Sequence, residues 1–96
     1  MPASVSVVIT SNNEGEFLAR TVESLLRHLP PGGEIVVIDD ASTDGSVTRL
    51  PGAGRQVKVH RFEKRLGACV GLNFGAQHSR GEILVFSDAF CELKDL

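Results

Sequence analysis

Residues 35–45 read Ile-Val-Val-Ile-Asp-Asp-Ala-Ser-Thr-Asp-Gly, and the fold turns on this stretch. Ile35, Val36, Val37 and Ile38 are β-branched and apolar without alternation, the pattern of a strand covered on both faces. The run stops abruptly at Asp39-Asp40. Ala41-Ser42-Thr43-Asp44-Gly45 then supplies turn and cap chemistry that leads into a short helix, broken by Pro51-Gly52.

Toward the N-terminus, residues 4–10 carry Val5, Val7, Val8 and Ile9, a second strand of the same kind. Between the two strands, Asn13 followed by Glu16 reads as an N-cap with its capping-box partner. Leu18, Val22, Leu25, Leu26 and Leu29 recur at spacings of three and four, the stripe of an amphipathic helix, and Pro30-Pro31-Gly32-Gly33 ends it. Toward the C-terminus, residues 56–62 alternate Val57 and Val59 with Lys58 and His60, as a half-exposed edge strand does. A helix over about residues 67–79 carries Gly67, Gly71 and Gly75 at four-residue spacing. Interior glycine costs ~1 kcal/mol relative to alanine, and close packing of one helix face against the sheet is the plain compensation. Gly81 fits a helix C-cap. Glu82-Ile83-Leu84-Val85-Phe86 is a further strand of buried type, ending at Ser87-Asp88.

Strand and helix thus alternate, which predicts right-handed crossovers and a three-layer α/β/α open parallel sheet. The apolar strands should be central and the alternating one outermost, giving the order 3-2-1-4. Ligands in such sheets bind beyond the carboxyl ends of the strands, near the point where the order reverses, here between strands 1 and 4. Every strand ends in polar groups on that rim: Thr10-Ser11-Asn12, Asp39-Asp40, Arg61 to Arg65, and Ser87-Asp88.

Ninety-six residues make one domain, spanning residues 1–96, whose folding hides roughly 60–65% of the unfolded surface. A net charge of -2 gives no general pull toward nucleic acid or an anionic membrane. No apolar run approaches a membrane span and the N-terminus lacks a signal pattern, so the expected location is the cytoplasm, the cytoplasmic membrane face included. Cys69 and Cys91 read as two buried, reduced thiols. His28, His60 and His78 fall in three different predicted elements, which argues against a metal cluster built on them. No GxGxxG or GxxxxGK follows strand 1, and Phe62-Glu63 stands where a phosphoacceptor domain would need an aspartate.

An ionised carboxylate only accepts hydrogen bonds, so Asp40 suits the ring N–H of a base or a ribose hydroxyl. Asp88, beside the switch point, suits a divalent cation that also holds a diphosphate. Three segments, VSVVITSNNEGEFLARTVESLL (5–26), EIVVIDDASTDGS (34–46) and GLNFGAQHSRGEILVFSDA (71–89), together resemble the N-terminal, nucleotide-sugar-binding half of glycosyltransferase family 2, with its GT-A fold. IDDASTDGS matches the family's V-D-D-x-S-x-D pattern, and the likeness covers nearly the whole chain.

The resemblance implies a glycosyltransferase moving a sugar from a nucleoside-diphosphate donor, a UDP-sugar above all, to an acceptor hydroxyl. It places the base near Thr10, gives Asp40 a bond to that base, and makes Asp39 a rim or ribose group. Asn12, Glu14 and Arg65 complete the implied nucleotide-binding set. Arg61 and Lys64 lie near the diphosphate side, and solvated surface charge is the plain reading of these basic residues. The family's D-x-D metal motif falls on Asp88-Ala89-Phe90. Asp88 is the expected ligand for Mn2+ or Mg2+, while Phe90 cannot coordinate and weakens the site, and Glu92 is its nearest substitute. The segment also looks like the D-x-H-C-E version of polypeptide N-acetylgalactosaminyltransferase-like relatives. Acceptor-binding elements and the catalytic base belong to the family's second half, so no catalytic residue is assigned and the chain alone is expected to be inactive. The alternative is a degenerate module that holds nucleotide without turnover. Strand 4 becomes an edge when nothing pairs with it, and self-association through it is expected.

Overall fold

The computed structural model describes residues 4–48 and 50–89. Six elements follow one another: β1 (Val5–Ser11), α1 (Glu16–His28), β2 (Glu34–Asp40), β3 (Val57–Phe62), α2 (Ala68–Gln77) and β4 (Ile83–Asp88). All three strand pairings are parallel, and the sheet order is β3-β2-β1-β4. This is the three-layer arrangement and strand order that the apolar pattern predicts.

The core is built by the two central strands. Val8, Ile9, Ile35, Val36, Val37 and Ile38 are completely buried, each worth about 1.5–3 kcal/mol relative to exposure. Helix α1 covers one face, where Leu18, Val22 and Leu25 meet Val7, Ile9, Ile35 and Val37. It stops at His28, and Leu29, which precedes Pro30, is extended at φ -72 and ψ 128, as the residue before proline must be. On the other face, Leu72 and Phe74 of α2 pack with Phe62 against Val8, Val36 and Ile38.

Two of the spaced glycines explain how α2 sits so close. A Cβ at Gly71 would lie 2.7 Å from Thr10 Cγ2, and one at Gly75 would overlap Val8 Cγ1. The helix therefore rests nearly backbone-to-side-chain on β1, which offsets its low intrinsic propensity. Gly67 serves another purpose. It precedes the helix at φ 94, a conformation that L side chains rarely adopt.

Four local expectations need correction. The described residues between β2 and β3 form turns and one isolated bridge, Ala53 with Val57, rather than a helix. Pro51, Gly52 and Gly54 leave too short a run to nucleate one, and Leu50, buried at the core, fills the space instead. Gly81 does not cap α2, whose cap residue is His78. It passes so near β1 that a Cβ would come within 2.7 Å of the Ser6 nitrogen, and its N–H donates to Ser6 Oγ at 2.8 Å. Cys69 is exposed on α2, while Cys91 lies outside the described residues. Strand β4 is apolar but not buried: Ile83, Leu84, Val85 and Phe86 are 39–52% exposed. Helices α1 and α2 lie over β1 and β2, and among the described residues β4 pairs only with β1. Among the described residues, no helix is long and apolar enough to cross a membrane.

Candidate functional site

The strand register brings the three aspartates to one end of the sheet. Thr10 aligns with Ile38 on one side and Asp88 on the other, and Ser11 aligns with Asp39. Asp39, Asp40 and Asp88 thus share the carboxyl rim with Thr10 between them. Their surroundings differ sharply.

Asp39 is completely buried. Its Oδ1 accepts the Ser42 N–H at 3.0 Å, and its Oδ2 takes Arg61 Nη1 at 2.7 Å. Arg61 Nη2 also donates to the Ser42 carbonyl at 2.8 Å, so the guanidinium closes a ring around the loop. Arg61, itself exposed, is therefore a clamp on the β2 loop as well as a surface charge. Asp40, 4% exposed, accepts Leu66 N–H at 2.7 Å and Gly67 N–H at 2.9 Å, one on each carboxylate oxygen. It ties the start of α2 to the end of β2, and Arg65 Nε stands 3.9 Å away.

The loop after β1 is stapled to the loop after β2. Asn12 Nδ2 donates to the Asp40 carbonyl at 2.6 Å. Asn13 is not the N-cap of α1: Gly15 holds that position, with no side-chain cap bond. Asn13 instead adopts φ 52, which Asn tolerates better than most residues, and turns its side chain to the opposite loop. Its Oδ1 accepts the Thr43 N–H at 2.8 Å and the Asp44 N–H at 3.2 Å, while its own N–H donates to Ser42 Oγ at 2.9 Å. Asp44 Oδ2 returns the contact by accepting the Gly15 N–H at 2.9 Å. Much of the D-D-x-S-x-D pattern is thus loop architecture. Sequence reasoning misses Ser42 and Asn13 as positioning residues, because a side-chain-to-backbone staple between distant loops leaves no periodic mark in a sequence.

Open capacity lies elsewhere on the rim. A cleft of about 160 Å³ opens between β1, β4 and the start of α2, lined by Thr10, Ala68, Leu72, Phe86, Ser87 and Asp88. It sits at the switch point, where the crossover from β1 leads away from β4. Asp88 is exposed there. Glu14 is half-buried on the β1 loop, where its carbonyl accepts the Phe17 N–H at 3.2 Å. Lys64 is exposed, and Phe90 and Glu92 lie outside the described residues.

A parallel sheet with helices on both faces and a cleft at its switch point, lined by polar and apolar side chains alike, is the architecture of a nucleotide-type α/β domain. The profile of glycosyl transferase family 2 matches residues 6–95, and the chain belongs to that family. It is 41% identical over 94% of its length to a probable N-acetylgalactosaminyltransferase 7 of Caenorhabditis elegans, of which it spans 16%. It is 37% identical over 92% of its length to the succinoglycan biosynthesis protein ExoU of Rhizobium meliloti, of which it spans 26%. A solved mannosyltransferase of Pyrobaculum calidifontis, in complex with GDP-Man and Mn2+, superposes over 96% of the chain with a TM-score of 0.84 at 27% identity. The match covers 29% of that enzyme, so the chain spans about a sixth to under a third of these relatives.

Proposed function

We propose that the chain supplies the donor-binding half of a glycosyltransferase, one that moves a sugar from a nucleoside diphosphate, a UDP-sugar in first place, to an acceptor hydroxyl. The observation that carries this reading is the switch-point cleft, bounded by Thr10, Asp88 and the start of α2. The related mannosyltransferase, solved with GDP-Man and Mn2+, supports a nucleotide-sugar ligand. The N-acetylgalactosaminyltransferase relatives support a hexose-type group.

In this reading the base lies beside Thr10 and Asn12. Asp40 keeps lone pairs beyond its two backbone donors for a base N–H or a ribose hydroxyl. Asp39, Glu14 and Arg65 frame the nucleotide, Asp39 by holding the loop in place. A divalent cation, Mn2+ or Mg2+, fits only as an ion shared with substrate. Asp88 offers an exposed carboxylate and Thr10 a hydroxyl in the same cleft. Among the described residues no group of three His, Cys, Asp or Glu could enclose a metal. One carboxylate plus substrate phosphates is a common way to hold such ions. Bound there, the ion would offset the charge developing on the leaving diphosphate. No base for the acceptor hydroxyl is assigned. The second reading, a module that holds nucleotide without turnover, is favoured by Phe90 standing where the family's metal motif has its second acid. The same reading proposes self-association through β4, whose Ile83, Leu84, Val85 and Phe86 are about half exposed, and size-exclusion chromatography tests it directly.

Calorimetric titration of the chain with UDP and GDP, with and without Mn2+, tests the reading. We expect Mn2+ to strengthen UDP binding by about tenfold, and the gain to vanish in Asp88→Ala. Binding that ignores Mn2+ favours the module. A folded chain that binds neither nucleotide removes both readings.

A further inference from the structure

On the face of the sheet covered by α2, away from the carboxyl-rim cleft, four rings from two elements pack together. Phe62 and His60 come from β3, and Phe74 and His78 from α2 and its cap. His78 stacks on Phe74 at 4.0 Å between centroids, and His60 meets Phe74 edge-on at 5.3 Å. The two imidazoles lie 5.1 Å apart, centroid to centroid, tilted by 51°. Sequence separation hides this pairing, because only the crossover from β3 to α2 brings residues 60 and 78 together.

From this pairing we infer a surface site for a borderline transition metal ion, Zn2+ in the first instance, held by His60 and His78 with water in the remaining positions. The spacing fits such an ion. A zinc–nitrogen bond of ~2.0–2.1 Å puts each ring centroid about 3.2 Å from the metal, so two imidazoles at a tetrahedral angle have centroids about 5.2 Å apart.

The protonation pattern fits as well. His78 Nδ1 lies 2.8 Å from the Phe74 carbonyl oxygen, which can only accept, so Nδ1 carries the hydrogen and Nε2 the free lone pair. A ring N–H donated to a backbone carbonyl is the usual support of a metal-ligating histidine. His60 makes no hydrogen bond through its ring among the described residues, and it is only half-buried. Burial, His78 and Lys58 lower its pKa from the ordinary value. The Lys58 ammonium is itself engaged by Glu34 Oε1 at 3.0 Å.

Imidazole donors favour Ni2+, Cu2+ and Zn2+ over Mn2+, whereas the carboxylate at Asp88 suits hard cations. The two sites are therefore separable. The test is a Zn2+ titration by calorimetry in a Cys69→Ser/Cys91→Ser background, which removes both thiols of the chain. One ion per chain is expected. His60→Ala and His78→Ala should each weaken uptake by roughly tenfold or more, and Asp88→Ala should leave it unchanged. In the unsubstituted chain, the ring resonances of both histidines should shift together at one equivalent of Zn2+, a readout that no variant's folding can confuse. Uptake that survives in the His60→Ala/His78→Ala double variant overturns the proposal. So does a titration in which only one ring responds, or neither.

Discussion

At the amino rim of the sheet, Glu34 is met from several directions. Its carboxylate accepts the Ser6 hydroxyl at 2.7 Å, the Arg80 N–H at 2.6 Å and Lys58 Nζ at 3.0 Å. At the carboxyl rim, Asp39 and Asp40 are equally buried and equally tied, but Asp88 stands exposed at the mouth of a cleft. The amino rim also has a hollow, about 210 Å³, lined by Ser4, Ser6, Glu34 and Arg80 among others. Its one carboxylate already has donors from β1, β3 and the α2–β4 link. The difference teaches how to weigh acids at strand ends. A buried acid with its oxygens engaged first organises the chain and has only its remaining lone pairs to offer a ligand, whereas open capacity resides where an exposed acid faces free volume.

The contrast can be broken experimentally. If Asp39 is architectural, Asp39→Ala should cost roughly 2–4 kcal/mol of stability in urea denaturation, because Arg61 and the Ser42 N–H lose their partner. A loss under about 1 kcal/mol would return Asp39 to the ligand-facing group.

The amino rim makes a pH prediction. Burial pushes the Glu34 carboxyl up, but the Arg80 N–H, the Ser6 hydroxyl and Lys58 outweigh it and hold the pKa at about 2, against 4.5 ordinarily. A lowered folded-state pKa gives stability that is present above about pH 4.5 and lost as pH falls toward 2. The loss should reach roughly 3 kcal/mol at most. Glu34→Gln should cost about 1–3 kcal/mol at neutral pH and flatten that decline, as thermal melts across pH would show. A variant that keeps the full acid sensitivity would locate it in another carboxylate.

The smallest effect concerns Ala41, held at φ 59 directly after Asp40. A left-handed alanine costs about 1 kcal/mol or more, so Ala41→Gly should raise stability by about 0.5–1 kcal/mol. No gain would mean that the loop staples, and not the residue's own conformation, set the energy of this turn.

Strand identity, order and the shared rim were legible in the sequence, because they follow from apolar runs and from where those runs stop. The exposure of β4 was not, since an apolar strand reads the same whether or not a layer covers it. The short helix expected after residue 45 failed because local turn chemistry in Gly45, Pro51 and Gly52 outweighed a weak helical pattern. At the site, residue types pointed to the right rim. They could not separate Asp39, which faces Arg61, from Asp88, which faces the cleft, because that distinction depends on side chains meeting across 22 residues of chain. The meeting of His60 with His78 was hidden for the same reason.

Asn13 carries a consequence for how a ligand would be received. Its amide oxygen holds Thr43 and Asp44, and Asp44 holds Gly15 in return. The segments after the first two strands are thereby fused into a single stiff lip. Their conformational freedom is given up when the chain folds rather than when a ligand arrives, so capture meets a surface already in shape.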